Sequence, residues 1–256
     1  MNQRAEEIRM IADLMARSND TVVVTGAGIS TEAGIPDFRG PEGIYRKLGE
    51  DSVMEIINIE AFRRDPEGFY AFFREHFIGE PVQPGLAHQI LAKMEQDGLI
   101  RGVVTQNIDG LHQAAGSRNV IAIHGSADRF ICTGRKCRQT YPAELLRQSS
   151  EPVPRCQVCG SVLKPDVVLF GEAIQNFFEA REMVLAARLL IVIGSSLTVY
   201  PLAGFVEEFS TLTQDLLIIN KGYTKLDHAA RIKLEPEHTG KALESVYHRL
   251  QKAGSL

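Results

Sequence analysis

The 256-residue sequence has no long apolar run. The strongest one, Leu189 to Ile193, has five residues and is bounded by Arg188 and Gly194, whereas a membrane-spanning helix needs about 20 apolar residues. The first residues, MNQRAEEIRMIADLMARS, lack the apolar core of a secretory signal and place apolar residues at helical spacing, which predicts an amphipathic helix. We therefore expect a soluble, cytoplasmic protein with no membrane partner.

The sequence also lacks an excess of charge of either sign. It has 28 Lys and Arg residues against 32 Asp and Glu residues, a formal net charge of −4. Proteins that bind nucleic acid directly carry a basic surface, so the balance gives no argument for such a partner. The hydrophobic content of 44% is typical of a globular protein with a sizeable core.

Cysteine is absent from most of the chain. All four cysteines lie within 28 residues, as the pairs Cys132/Cys137 and Cys156/Cys159. Two short-spaced thiol pairs are typical of a tetrahedral Zn²⁺ site, and four thiolates without an open position indicate a structural ion, one per chain. Two disulfides and four unrelated buried cysteines are the alternatives. A reducing cytoplasm disfavours the first, and the clustering disfavours the second.

Short runs rich in β-branched residues alternate with helical patterns along the chain. These runs are Thr21 to Thr25, Gly102 to Thr105, Val120 to Ile123, Leu189 to Ile193 and Leu216 to Ile219. The alternation predicts an α/β fold with a Rossmann-type parallel sheet. Ligands of such folds bind at the carboxyl ends of the strands.

Two segments interrupt this alternation. Residues 41–83 carry aromatic residues at helical spacing, which predicts an inserted helical module. Residues 129–164 contain the cysteines and too few apolar residues for a core of their own, which predicts a small zinc-binding domain. Residues 1–40, 84–128 and 165–256 then form one discontinuous Rossmann-type domain.

The first predicted strand leads into a glycine-rich turn. The segment Gly26 to Thr31 has the first two glycines of a dinucleotide-binding fingerprint but Thr31 in place of the third. The loop that follows, GIPDFRG, would place Arg39 beside a phosphate and Phe38 over a cofactor. The glycine pair by itself is equally consistent with an ordinary strand-to-helix turn and a solvated arginine.

Polar residues follow the second and third predicted strands. Gln106, Asn107 and Asp109 come directly after GVVT and would face the crevice at the sheet edge. An Asx-turn or a helix cap is the alternative for Asn107 and Asp109. His124 follows the run Val120 to Ile123 and is a candidate general base. The other six histidines lie on helical or terminal patterns and are interpreted as structural.

Taken together, several motifs resemble those of the sirtuins, the NAD-dependent protein lysine deacylases. They are GAGIS, GIPDFRG, TQNID, HG, the four cysteines, VVLFGE and GSSLTVYP, in this order over nearly the whole chain. The resemblance implies a Rossmann-type NAD-binding domain, a small zinc domain and a helical module, with NAD and an acetylated lysine meeting between them. It implies a deacetylase of the acyltransferase class that transfers the acetyl group from lysine to ADP-ribose and releases nicotinamide. NAD would be a co-substrate, and His124 would deprotonate a ribose hydroxyl.

The resemblance also implies ligands for individual residues. Residues expected to contact NAD are Ala27, Gly28, Ser30, Thr31, Phe38, Arg39, Gln106, Asn107, Ile108, Asp109, Gly194, Ser195, Ser196, Asn220, Lys221 and Lys241. Residues expected to bind the substrate by strand addition are Val168, Phe170, Gly171 and Glu172. One more buried strand is the alternative for Val167 and Val168.

Other activities stay open at this stage. A Rossmann dehydrogenase would share the glycine turn, but the third glycine is missing; a zinc-ribbon module for nucleic acid is disfavoured by the acidic balance. Protein ADP-ribosylation and removal of longer or acidic acyl groups are alternatives within the family. The desuccinylase branch has a Tyr and an Arg three residues apart. Here Arg74 is preceded at that distance by Ala71, with Tyr70 four residues away, so we expect acetyl or another uncharged acyl group to be preferred.

Overall fold

The computed structural model describes residues 3–40, 42–212 and 214–254. Its central sheet has six parallel strands in the order β3-β2-β1-β7-β8-β9. These strands are β1 (Thr21–Thr25), β2 (Gly102–Thr105), β3 (Val120–Ala122), β7 (Leu189–Ile193), β8 (Asp215–Ile219) and β9 (Ile232–Leu234). The parallel Rossmann-type sheet is therefore confirmed, and all five predicted strands belong to it. The edge strand β9 was not predicted.

Helices cover both faces of this sheet because its strands alternate apolar side chains between the faces. On one face, Val23 of β1 packs with α1 (Gln3–Arg17), α6 (Leu86–Gln96) and α11 (Thr239–Lys252). On the other, the neighbouring valines of β1 pack with α9 (Phe177–Ala186) and α10 (Leu202–Ser210). The amphipathic helix predicted at the start of the chain is confirmed as α1. Among the described residues, no helix combines the length and apolar composition that crossing a bilayer requires.

The segment between β1 and α6 is helical, as predicted. Residues 42–83, named here the helical segment, contain α2 (Ile44–Leu48), α3 (Glu50–Ile56), α4 (Ile59–Arg64) and α5 (Pro66–His76). Pro41, the first residue of the predicted module, lies outside the described residues.

The four cysteines belong to a second, antiparallel sheet. Residues 125–167, named here the cysteine unit, contain β4 (Gly125–Cys132), β5 (Thr140–Pro142), α8 (Glu144–Gln148) and β6 (Leu163–Val167). The strand order is β5-β4-β6. The predicted domain limits at 128/129 and 164/165 fall inside β4 and β6. The antiparallel sheet therefore begins before residue 129 and ends after residue 164.

The helical segment and the cysteine unit share one apolar core. Phe69 and Phe73 of α5 pack in the same buried cluster as Phe130 of β4 and Leu163 of β6. The hydroxyl of Tyr70 donates a 2.5 Å hydrogen bond to the carbonyl oxygen of Leu163. The two inserted segments therefore stabilise each other, and their common core lies beside the edge of the central sheet.

Candidate active site

The carboxyl ends of β1 and β7 meet where the strand order reverses, which is where open α/β sheets bind their ligands. The amide of Gly28 donates a 2.9 Å hydrogen bond to the carbonyl oxygen of Gly194. A Cβ on Gly28 would lie 2.9 Å from Cα of Gly194, and Gly194 itself has φ +62°. Both positions require glycine because two backbones approach closely here. The turn continues as a short 3-10 helix, Ala27–Ala33, in place of a long helix.

Three predicted site residues from two strand ends form one polar network. The buried hydroxyl of Ser30 donates to Oδ2 of Asp109 at 2.7 Å and accepts from Nδ2 of Asn107 at 3.1 Å. Oδ1 of Asp109 also accepts from the amide of Leu111 at 2.9 Å. Asp109 therefore closes an Asx-turn directly before α7 (Leu111–Ala114) with one carboxylate oxygen and joins the polar network with the other.

His124 lies beside this network and is oriented by the backbone of Gln106. Its Nδ1 is 3.0 Å from the carbonyl oxygen of Gln106. A carbonyl oxygen only accepts hydrogen bonds, so Nδ1 carries the proton and Nε2 keeps its lone pair. Burial lowers the pKa of His124 below its usual range, partly opposed by that hydrogen bond. The result is a neutral imidazole with a free basic nitrogen.

Gln106 connects His124 to the end of β7, because its backbone carbonyl contacts His124 and its side chain contacts the residues that follow β7. Its Nε2 donates to the carbonyl oxygen of Val199 at 3.2 Å, and its Oε1 accepts from the hydroxyl of Ser195 at 3.3 Å. Three of the strand ends predicted to form the site, those of β1, β2 and β7, are thus joined directly by hydrogen bonds.

Two histidines interpreted as structural from the sequence lie directly behind the polar network. Nε2 of His88 is 3.4 Å from the hydroxyl of Ser30, and Nε2 of His112 is 3.0 Å from that of Thr25. Their rings lie 4.9 Å apart, edge to face. Burial lowers the pKa of both, that of His112 to about 3, so both are neutral. The sequence around His88 and His112 gives no signal for this placement, because their contact joins two separate helices, α6 and α7.

The predicted phosphate-binding loop contacts the helical segment. The guanidinium of Arg39 pairs with the carboxylate of Glu50 at 2.5 Å and lies 4.9 Å from the centre of the Tyr45 ring. The ring of Phe38 lies 5.3 Å from that of Tyr45 and 6.4 Å from that of Phe77. These two predicted NAD contacts therefore lie against α2, α3 and the end of α5, and not in the Ser30 network.

Other predicted NAD contacts are distributed along the same sheet edge. Asn220 follows β8 and donates from Nδ2 to the carbonyl oxygen of Lys221 at 2.9 Å. Lys221 is exposed, as is Lys241 in the first turn of α11. In the described part of the chain, no hydrogen bond or ion pair joins Lys241 to Asn220 or Lys221. The remaining predicted contacts lie in the segments that follow β1, β2 and β7: Ala27 and Thr31 in the 3-10 helix, and Ile108 and Ser196 in loops.

The predicted substrate segment, Val168 to Glu172, follows β6 and lies beside His124. Val168 lies directly after the last residue of β6. Its amide donates to the carbonyl oxygen of His124 at 2.9 Å. The backbone of Phe170 pairs with the helical segment, through Ile57 at 3.1 Å and Ile59 at 3.0 Å. Phe170 therefore cannot offer these two backbone groups to a substrate strand.

The four cysteine sulfurs converge as the spacing predicts. All four Sγ atoms lie within 4.8 Å of one another. The Sγ atoms of Cys132 and Cys159 are 3.4 Å apart and those of Cys137 and Cys156 are 3.6 Å apart. Disulfide sulfurs would lie at about 2.05 Å, whereas tetrahedral Zn–S bonds place sulfurs about 3.8 Å apart. The donor set fits zinc. The hydroxyl of Tyr141, 3.2 Å from Sγ of Cys156, lowers the pKa of that thiol to about 6.

The comparisons with known proteins agree with this geometry. The Sir2 family model matches residues 26–201. The chain is 43% identical to an NAD-dependent protein deacetylase of Sulfurisphaera tokodaii, over 88% of this chain and 89% of the relative. It is 42% identical to one of Thermotoga maritima, over 89% and 92%. A Sir2 structure with a p53 peptide and NAD+ superposes with a TM-score of 0.83 at 38% identity, covering 96% of this chain and 98% of that one.

A second solved structure, of Sir2 with a deacetylated p53 peptide and 3'-O-acetyl ADP ribose, superposes with a TM-score of 0.87 at 38% identity over 97% and 99% of the two chains. The fold and the site thus define a Rossmann-type enzyme with a four-cysteine cluster that fits a structural metal ion. The chain belongs to the Sir2 family, the sirtuins.

Proposed function

We propose that this chain is an NAD-dependent protein lysine deacetylase. It transfers the acetyl group of an acetylated lysine to ADP-ribose, and nicotinamide is released. The position of His124 carries the proposal: a neutral imidazole with a free Nε2 lies beside Gln106 and the Ser30 network, at the switch point of a Sir2-family sheet. Relatives over most of the chain bear the name of this activity.

The free nitrogen of His124 accepts the proton of a ribose hydroxyl. Burial keeps the imidazole neutral at neutral pH, and the carbonyl of Gln106 holds its basic nitrogen toward the crevice. NAD supplies the ADP-ribose acceptor. Because His124 needs only to hold and move one proton, its orientation matters as much as its pKa.

The polar network forms the pocket for the nicotinamide end of NAD. Asn107 offers an amide and Asp109 a carboxylate, which together can both donate to and accept from a carboxamide. Ile108, between them, supplies an apolar wall. The buried His88 contacts the Ser30 hydroxyl, and His112 contacts Thr25 and packs edge to face on His88.

The rest of the sheet edge binds the other parts of NAD. The pyrophosphate binds at the glycine turn through Ala27, Gly28, Ser30, Thr31 and Arg39, with Phe38 as cover. The adenosine lies toward β7 and β8, where its contacts are Gly194, Ser195, Ser196, Asn220, Lys221 and, less centrally, Lys241. The close approach of Gly28 to Gly194 supports this arrangement, because it brings both groups of residues to one switch point.

We propose that the chain divides by function along the limits that its sequence predicts, although strands β4 and β6 cross the limits of the small domain. Residues 1–40, 84–128 and 165–256 bind NAD, residues 41–83 form the helical module and residues 129–164 bind one structural Zn²⁺ through Cys132, Cys137, Cys156 and Cys159. The converging sulfurs support the zinc site. The four thiols are unpaired, which suits a reducing compartment, and we place the protein in the cytoplasm.

The protein substrate presents an acetylated lysine at the segment from Val168 to Glu172. Direct binding of nucleic acid or membranes is not part of the proposal, given the net charge of −4. Neither Tyr70 nor Arg74 is available to bind an acidic acyl group. The Tyr70 hydroxyl is bonded to Leu163, and the Arg74 guanidinium donates to backbone carbonyls of the cysteine unit. An uncharged acyl group is therefore preferred.

The test is incubation with NAD and an acetyl-lysine peptide, followed by mass spectrometry of peptide and nucleotide. We expect a free lysine, nicotinamide and O-acetyl-ADP-ribose in equal amounts from the wild type, and a loss of at least about 100-fold in rate from His124→Ala. His228→Gln, which changes an exposed histidine, is the control. Consumption of NAD without loss of the acetyl group, or an active His124→Ala, would contradict the proposal.

A further inference from the structure

The cysteine unit contains a buried lysine next to the predicted substrate segment. Lys164, on β6, is only 7% exposed. Its ammonium donates to the carbonyl oxygen of Val167 at 2.7 Å and to that of Pro165 at 3.2 Å, and it pairs with Oε2 of Glu172 at 2.9 Å. A buried ammonium is costly unless it is both hydrogen-bonded and charge-paired, and Glu172 is the carboxylate that provides the charge.

The carboxylate of Glu172 is directed inward, into the turn that it closes. The same Oε2 that pairs with Lys164 accepts from the amide of Leu169 at 3.0 Å. The amide of Glu172 in turn donates to the carbonyl oxygen of Leu169 at 3.0 Å. These bonds close a tight turn around Phe170 and Gly171, and Gly171 has φ +90° and is exposed at its tip.

Three anchors from three parts of the chain therefore hold this segment. His124 holds its start through the amide of Val168, the helical segment holds its middle through the backbone of Phe170, and Lys164 holds its end through Glu172. The first anchor is the backbone carbonyl of His124, the residue whose imidazole is the candidate base. A shift at the third anchor would move the segment relative to His124, since only three residues lie between Val168 and Glu172.

We infer that Lys164 and Glu172 are a positioning pair for the acetyl-lysine peptide, and that Glu172 acts through Lys164 and not by contacting the peptide. The pair fixes the edge to which the peptide adds as a strand, so it sets peptide affinity and leaves NAD affinity unchanged. This inference rests on the proposed function, and it assigns Glu172 a different role from the one that the family resemblance implies.

A double-mutant cycle tests the pair directly. The variants are Lys164→Met, Glu172→Gln and the double variant, with Lys164→Arg as the conservative change. Arg181→Met, which breaks a surface ion pair with Glu208 on α9 and α10, is the matched control. The readouts are KM and kcat for an acetyl-lysine peptide, the anisotropy of a fluorescein-labelled acetyl-lysine peptide, the Kd of NAD by calorimetry, and the melting temperature.

We expect Glu172→Gln and Lys164→Met each to raise the peptide KM and Kd about tenfold, or ~1.4 kcal/mol, with the Kd of NAD within twofold of the wild type. The double variant is no worse than the more damaged single variant. Lys164→Arg restores most of the peptide affinity. Arg181→Met changes none of these values.

Multiplicative effects in the double variant would overturn the inference, because they would show that Glu172 contacts the peptide independently. An unchanged peptide KM in Glu172→Gln would also overturn the inference. This variant keeps the shape of the side chain, so it tests the inference even if Lys164→Met does not fold. A wild-type protein that binds the labelled peptide but does not deacetylate it would contradict the proposed function. The double-mutant cycle could still be measured in that case, through the anisotropy of the labelled peptide.

Discussion

The proton on Nδ1 of His124 is fixed by the carbonyl of Gln106, and burial shifts the titration of the ring. The folded-state pKa lies below the ordinary value of 6.5, so the imidazole stays neutral at pH values where an exposed histidine would already be charged. A general base must be neutral to work, and the consequence is an enzyme whose activity extends to mildly acidic pH.

The pH profile of kcat/KM for the peptide tests this shift, because that ratio reports the pKa values of the free enzyme. We expect activity to fall on the acid side with a midpoint below pH 6.5, so that more than half of it remains at pH 6.5. His228→Gln should give the same profile, since that side chain is exposed. An acid limb with its midpoint above pH 7 would show that the ring is not desolvated.

A second prediction concerns Arg39, which pairs with Glu50 at 2.5 Å. If the guanidinium binds the pyrophosphate of NAD, Glu50 competes for it. We expect Glu50→Gln to lower the KM for NAD by up to about fivefold, since an exposed ion pair contributes roughly 0.2–1 kcal/mol. Glu42→Gln, which breaks the ion pair with Lys47 on the same helical segment, is the control and should leave the KM for NAD unchanged. An increased KM for NAD in Glu50→Gln would mean that Glu50 orients Arg39 for binding.

The site residues that could be predicted from the sequence are those that follow an apolar run closely. Asn107, Asp109 and His124 directly follow apolar runs, so their place at a strand end can be deduced from the sequence. His88 and His112 could not be placed behind Ser30, because their contact arises where α6 packs beside α7, a relation with no local signature.

At the scale of elements, helix α5 joins the two inserted segments through Arg74. Its guanidinium donates to the carbonyl oxygens of Leu146 at 2.9 Å, Ser149 at 3.0 Å and Glu151 at 2.6 Å. It thereby satisfies carbonyls at and beyond the carboxyl end of α8. An arginine can serve three carbonyls because its donors are fixed in a planar fork, which lysine lacks.

Substitution of Arg74 should therefore affect stability and not acyl preference. We expect Arg74→Met to lower the free energy of unfolding by about 1–3 kcal/mol, measured by urea denaturation, with Arg74→Lys in between. The ratio of acetyl-lysine to succinyl-lysine turnover should stay high in all three proteins. Arg63→Met, on an exposed ion pair of α4, is the control. A marked rise in that ratio in Arg74→Met, caused by a loss of succinyl-lysine turnover, would show that Arg74 binds the acyl carboxylate.

The strands that could be predicted are short runs rich in apolar and β-branched residues, and all of them except the half-buried β3 are buried almost throughout. The missed strands lack that signal. Strand β9 is three residues long with Lys233 at its centre, β6 contains Pro165, and β4 mixes charged and apolar residues. Their pairing is imposed by the partners beside them, so it cannot be read from their own residues.

For the whole molecule, the decisive feature is the shared core of the helical segment and the cysteine unit. The sequence predicts two separate insertions, because nothing local shows that Phe69 and Phe73 pack against Phe130 and Leu163. Loss of order in one insertion should therefore weaken the other. It should also disturb the substrate segment, which both of them hold.

Removal of zinc tests this coupling. The purified protein should contain one zinc per chain by elemental analysis, and a strong chelator should abolish deacetylation and lower the melting temperature. Protease cleavage should begin between residues 133 and 161 and extend to the helical segment, while most of the helical far-UV signal persists because α1, α6 and α9–α11 pack on the central sheet. Full activity after complete removal of zinc would contradict a structural role.

The pairing of β1 with β7 at the centre of the sheet has a consequence for how the chain folds. Thr21–Thr25 pairs with Leu189–Ile193, so the middle of the sheet joins two segments more than 160 residues apart. Such distant pairing closes late because of its loop entropy. During synthesis β1 can pair with β2, and β2 with β3, but β1 keeps one open edge until most of the chain has emerged. The switch point that creates the NAD crevice is thus among the last features to form.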